Sequence, residues 1–229
     1  MSVGNARGPE QTIKQSVQRL CIFILLGLLL AAPGEILNQI LARNDVRAFR
    51  TTMISYSVLL LVGFFVGKGI ALLIQRRARA MMVYYLGFGS LGLAVEWLLL
   101  GNAPSADPFQ VITQPGMFTF WGTMLLGPRL IMEPAGSPGL RRSFIGFFVT
   151  FSAIYLLVAA IIPRNHGGVY FGFIIFAAGS MCLNYFYIKY FRLLKANQPI
   201  VQPPAAKTEE GFSGETTSAK PDDGLPPKQ

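Results

Sequence analysis

Apolar residues run along this chain in long unbroken blocks. Five of them extend over Met53 to Ile74, Met81 to Leu100, Phe109 to Met132, Ser143 to Ile162 and Val169 to Leu194. A helix on a soluble core shows an apolar stripe with a polar back; a run apolar on every side belongs in lipid or deep inside protein. Each block reaches the roughly 20 residues that cross a hydrocarbon layer of about 30 Å. None alternates over about 10 residues, as a strand of a membrane barrel would. Lipid offers nothing to unsatisfied N–H and C=O groups, so the backbone must close its hydrogen bonds within each segment. The predicted fold class is all-α: a polytopic transmembrane helix bundle of about six spans, with short loops and a disordered C-terminal tail.

The first span is less regular. Leu20 to Ala32 is apolar, Pro33-Gly34-Glu35 interrupts it, and Ile36 to Leu41 resumes it. Thirteen residues cover only about 20 Å, so the span needs both pieces, with a break at the proline. A cleaved signal peptide is the rival reading, with Ala31-Ala32 as the small residues. Against it, Leu30 would occupy the −3 position and Pro33 would follow the cut. An uncleaved helix is the reading adopted, preceded by a polar N-terminus over 1–19. From Ala196 onward the composition shifts to proline, polar and charged residues, and the tail over 196–229 cannot bury a core.

Composition agrees with the pattern: 52% of residues are hydrophobic and 14% charged, against about 25% charged in a soluble domain. The net charge of +9 alone would allow a nucleic-acid partner, but the cations stand beside the apolar runs, as at a cytoplasmic membrane face. Six spans with both termini inside place Arg7, Lys14, Arg19, Arg76, Arg77, Arg79, Arg129, Arg141, Arg142, Lys189, Arg192, Lys195 and the tail lysines on the cytoplasmic side. Only Arg43, Arg47, Arg50 and Arg164 fall outside. The expected location is the plasma or cytoplasmic membrane, N-in and C-in. Arg76, Arg77, Arg79, Arg141 and Arg142 are expected to meet anionic headgroups, at about 1 kcal/mol for each charge.

Charged residues inside spans cost about 2.5–3.5 kcal/mol at mid-membrane on insertion scales, so they mark candidate chemistry. Glu35, Lys68 and Glu96 are the three. Lys68 lies near the cytoplasmic edge, where its stem can snorkel. Glu35 and Glu96 lie near the outer edge, at the level of Asn38, Gln39, Asn102 and Gln114, with Asn165 and His166 just above. Pro33-Gly34 and Pro115-Gly116 would each free carbonyls at that depth, as broken helices do around a wet cavity. Glu35, Glu96, Gln114 and Asn38 are therefore the candidate ion or proton ligands. The plain alternative is that both glutamates are simply hydrated at the interface. The two proline–glycine pairs stand in spans one and four, as an inverted repeat would place them. Both lie in the outer half rather than at mirrored depths, so a repeat is not adopted.

Other features have structural readings. Gly87-Phe88-Gly89-Ser90-Leu91-Gly92 matches a dinucleotide fingerprint but lacks the strand before it. Its glycines, with the GxxxG pairs Gly63/Gly67 and Gly168/Gly172, read as helix-packing faces or as faces for a homo- or hetero-oligomer. Trp97 and the aromatic cluster Tyr185, Phe186, Tyr187, Tyr190 and Phe191 read as interfacial belts. Cys21 and Cys182 read as small buried apolar residues. One histidine and two distant cysteines assemble no zinc site. No cofactor and no enzyme activity are expected.

The functional reading is a small transporter or channel-like protein with a cation or proton site near its outer face. The competing reading is an accessory or scaffold protein packed through its glycine faces. Transport requires Glu35 and Glu96 to face a shared polar cavity; the accessory reading sets them apart or toward headgroups.

Overall fold

The computed structural model describes residues 9–98, 108–163 and 166–197, and every extended element among them is helical. The helices are α1 (Pro9–Glu35), which continues as a π-helical segment (Ile36–Ala42), α2 (Val46–Leu73), α3 (Arg77–Leu98), α4 (Pro108–Met132), α5 (Pro138–Ile161) and α6 (Gly168–Ala196). Five of them, all but α4, are long and apolar enough to cross a membrane. By helix length and hydropathy this is a multi-span integral membrane protein.

Most helices start earlier than the apolar blocks do. Asp45 caps α2 by accepting a hydrogen bond from the Ala48 amide at 2.9 Å. Ser137 caps α5 through the Leu140 amide at 3.3 Å, with Pro138 in the first turn, where a missing N–H costs nothing. The hydropathy pattern marks where a helix meets hydrocarbon, whereas the cap marks where it starts. The chain beyond Asn197, including nearly all of the proposed tail, lies outside the described residues, as do residues 1–8.

Side-chain pairings fix the helix directions. Phe23 packs on Phe64 and Glu35 meets Tyr56, Tyr85 packs on Phe118 and Trp97 meets Gln114, and Phe144 packs on Phe186 and Ala159 abuts Gly172, so the pairs α1–α2, α3–α4 and α5–α6 each run in opposite senses. α4 is the central helix: Trp121 to Pro128 are buried without interruption. It is 25 residues long, about 37 Å at the α-helical rise. Surrounded by protein rather than lipid, it holds polar groups that need protein partners. Tyr187 Oη donates to Thr123 Oγ1 at 2.8 Å, and Asn184 Nδ2 donates to Thr119 Oγ1 at 3.0 Å. Tyr85 Oη donates to Asn184 Oδ1 at 2.5 Å. This central position explains why α4, expected as an ordinary span, is the least lipid-like helix.

Several expectations are corrected. The proline–glycine pairs do not interrupt the helical path: Pro115 lies within α4, and Pro33-Gly34 lies in the last turn of α1, after which the α pattern passes into the π-helical segment at Ile36. The glycines instead allow close approach. A Cβ on Gly34 would lie 2.9 Å from Phe120, and one on Gly116 would lie 2.7 Å from the Ala177 Cα. Tyr187 and Tyr190 are core residues rather than belt residues; Tyr185 and Trp97 do face outward. Cys21 and Cys182 lie on the exterior of the bundle. A small apolar side chain is as well suited to lipid as to a core, so hydropathy does not distinguish the two.

The end of the bundle formed by the start of α1, the α2–α3 and α4–α5 connections and the end of α6 carries Lys14, Arg19, Arg76, Arg77, Arg79, Arg141, Arg142, Arg192 and Lys195. Arg77 pairs there with Glu133. Arg129, in the last turn of α4, turns inward instead. Its Nη2 donates to the Phe64 carbonyl at 3.3 Å, and its guanidinium lies 4.8 Å from the Tyr84 ring centroid and 5.6 Å from that of Phe23. Its Nε is buried without a hydrogen-bond partner.

Opposing terms act on Arg129. A charged hydrogen bond is worth about 1.5–3 kcal/mol, and cation–π contacts about 0.5–2 kcal/mol. Burial of the charge costs about 2.5–3.5 kcal/mol. Arg129→Met is therefore expected to keep the unfolding free energy within about 1 kcal/mol of wild type. Arg129→Ala, which leaves a cavity among rings, is expected to lose about 2–3 kcal/mol. Reversible unfolding in mixed micelles distinguishes the two.

Candidate functional site

Glu35 is the last residue of α1, and Gln39 follows one turn later in the π-helical segment. Glu35 is 5% exposed and Gln39 7%. Tyr56, on α2, donates its hydroxyl to Glu35 Oε1 at 2.6 Å. Gln39 Nε2 donates to Glu35 Oε2 at 3.3 Å. The Tyr56 ring meets Trp121 of α4 edge to face, with centroids 5.5 Å apart. Trp121 in turn donates its indole N–H to Glu96 Oε1 of α3 at 3.3 Å. A hydrogen bond, a ring contact and a second hydrogen bond thus connect the two carboxylates across four segments of chain.

These groups enclose a cavity of about 400 Å³. Glu35, Gln39, Tyr56 and Trp121 are its buried residues, and Leu59 and Val95 add aliphatic wall. Arg43, Thr51 and Ser55 are exposed at its rim. Thr51 Oγ1 and Ser55 Oγ donate to carbonyls four residues back in α2, at 3.1 and 3.0 Å. Those hydroxyls are satisfied by their own helix. Among the described lining residues, Glu35 and Glu96 are acidic and Arg43 is basic.

The π-helical segment positions this site. π-turns are rare and occur mostly as short bulges, frequently at functional sites. This one, Ile36–Ala42, carries Asn38 and Gln39 to the cavity directly after Glu35. Two residues beyond its end lies Asn44, whose φ of 55° is left-handed, and the Asp45 amide closes back on the Gln39 carbonyl at 2.8 Å.

Of the residues singled out from the sequence, Glu35, Glu96 and Asn38 line the cavity. Gln114 does not: its Oε1 accepts the Trp97 indole N–H at 2.8 Å. The reason is axial: Gln114 shares a face of α4 with Trp121 but lies two turns, about 10 Å, before it, and so meets the outer end of α3 beyond the cavity. Lys68 is remote, its ammonium 4.6 Å from the Phe64 ring. His166 is exposed in the connection before α6. Asn102 and Asn165 lie outside the described residues. Tyr56 and Trp121 escaped the sequence reading. A signal for Tyr56 existed: Thr52, Ser55 and Tyr56 are spaced three and four apart, which places their polar groups on one face of α2. Trp121 gave none, because a tryptophan in an apolar run is ordinarily packing.

Among the described residues, no group of three His, Cys, Asp or Glu side chains could hold a metal ion. The chain matches no protein-family model, no curated protein and no solved structure.

Proposed function

We propose that this protein is a small transporter or channel-like protein that binds a cation or proton in the cavity between Glu35 and Glu96. The observation that carries the reading is the convergence of two carboxylates within apolar helices, from α1 and α3, on one cavity. Carboxylates are costly in a span and are retained where they bind or relay charge. In this reading the basic end is cytoplasmic by the positive-inside rule, so the cavity lies toward the outer face of a plasma or cytoplasmic membrane. Arg76, Arg79, Arg141 and Arg142 then meet anionic headgroups, with Arg77 partly neutralised by Glu133.

The accessory reading loses one of its supports, because its glycine faces are occupied within the chain. Cβ atoms on Gly63 and Gly67 would strike Leu125 and Arg129, and one on Gly172 would lie 2.8 Å from Ala159.

The test is flux in proteoliposomes under imposed proton and cation gradients. Wild type is expected to conduct or exchange, Glu35→Gln to abolish that flux, and Glu96→Gln to reduce it at least fivefold. Folded protein without flux for protons or any of several cations would overturn the reading.

A further inference from the structure

The lining of the cavity narrows the class of cation, on the reading that it binds one. Its volume of about 400 Å³ lies in the range of small-molecule sites, roughly 300–1,000 Å³. A bare metal cation needs six or more oxygens, at about 2.0–2.6 Å for magnesium or calcium. Here each carboxylate is drawn to its own wall by a hydrogen bond, Glu35 to Tyr56 and Glu96 to Trp121. Beside aromatic and aliphatic side chains, the rest of the lining holds Asn38 and Gln39 and, toward the rim, Arg43 and the α2 hydroxyls.

Gln39 supplies an independent observation. The residue is 7% exposed, lines the cavity, and its Oε1 is buried with no hydrogen-bond partner. The amide cannot relieve this by flipping, because its Nε2 already donates to Glu35, and a flip would set oxygen against carboxylate. A buried acceptor without a donor costs about 1–3 kcal/mol. A ligand that draws this amide toward the cavity and brings it an N–H removes that cost.

We propose that the cavity binds a monovalent organic ammonium ion: a protonated amine with an apolar substituent. Its positive charge is opposite to that of the Glu35 and Glu96 carboxylates it meets. Its N–H groups meet Gln39 Oε1 and the carboxylates. The Tyr56 and Trp121 rings provide cation–π attraction, which is strongest where water is excluded. Leu59 and Val95 receive the apolar substituent.

The test uses the full chain in nanodiscs and benzylammonium as the probe, read by titration calorimetry at pH 7. Benzylammonium is expected to bind at least tenfold more tightly than benzyl alcohol, its uncharged counterpart. It is also expected to bind more tightly than benzyltrimethylammonium, which has no N–H. Glu35→Gln should abolish binding, and Trp121→Leu should weaken it about tenfold. Ser55→Lys, at an exposed rim position, should also weaken it about tenfold by placing a cation at the mouth, and it serves if Trp121→Leu does not fold. Equal affinity for benzylammonium and benzyl alcohol would overturn the inference, as would binding indifferent to Glu35→Gln and Ser55→Lys. Glu35-dependent proton or alkali flux without benzylammonium binding would overturn the amine assignment alone. Absence of both would overturn the underlying cation reading as well.

Discussion

Gly92→Val is expected to destabilise the bundle by about 3 kcal/mol or more and to abolish the response of the cavity to cations. Any Cβ at this position of α3 would overlap the Cγ and Cβ atoms of Trp121. Those atoms are the root of the indole, so the side chain cannot swing clear without moving the α4 backbone. Overpacking a tight core costs about 1–3 kcal/mol, and more where the backbone must shift. Displacing Trp121 also breaks its hydrogen bond to Glu96 and its contact with Tyr56, so fold and site fail together. Gly87→Ala is the internal control from the same glycine-rich stretch. Nothing lies within 4 Å of its Cβ position, and replacing a helical glycine with alanine gains up to about 1 kcal/mol of helix propensity. Reversible unfolding of the two variants should therefore shift in opposite directions. Similar shifts would show that these glycines act through propensity rather than close approach.

Glu35→Ala is expected to cost about 2–5 kcal/mol, against less than about 1.5 kcal/mol for Glu35→Gln. The alanine leaves the Tyr56 hydroxyl and the Gln39 amide N–H without their acceptor. Each unsatisfied buried group costs about 1–3 kcal/mol. Glutamine keeps an acceptor facing Tyr56, and its NH2 can donate to Gln39 once that amide turns its oxygen toward it. The pair separates stability from function: both variants are expected to lose flux, whereas only the alanine variant should lose folded yield and thermal resistance in detergent. Wild-type stability in Glu35→Ala would mean that the Tyr56–Glu35 hydrogen bond contributes little to holding α1 against α2.

Part of this site is legible in the sequence because charge in an apolar run is conspicuous. Glu35 and Glu96 stand out by cost alone, and counting residues from the span ends puts both at the same end of the bundle. The partners that make them a site are not legible. Tyr56 and Trp121 are ordinary constituents of apolar helices, and only the rotation of α2 and α4 turns them toward the carboxylates. Gln114 has the right chemistry and shares a face of α4 with Trp121, but it lies two turns, about 10 Å, farther along the helix and meets Trp97 instead.

The sequence by itself determined the helical class, the placement of five apolar spans, the gathering of cations at one end and the level of the two glutamates. Those properties follow from the thickness of a bilayer and the cost of charge within it, which act on each segment separately. Tertiary structure alone decided which faces meet. In water, hydrophobicity distinguishes the inside of a helix from its outside; in lipid, both sides are apolar, so the pattern carries little rotational information. Rotation is set instead by where glycines admit a neighbour, as Gly92 admits Trp121, and by where buried polar groups find partners, as Glu35 finds Tyr56. For that reason Tyr187 and Tyr190 are core residues, Cys21 and Cys182 face outward, and Pro33 and Pro115 do not interrupt the helical path.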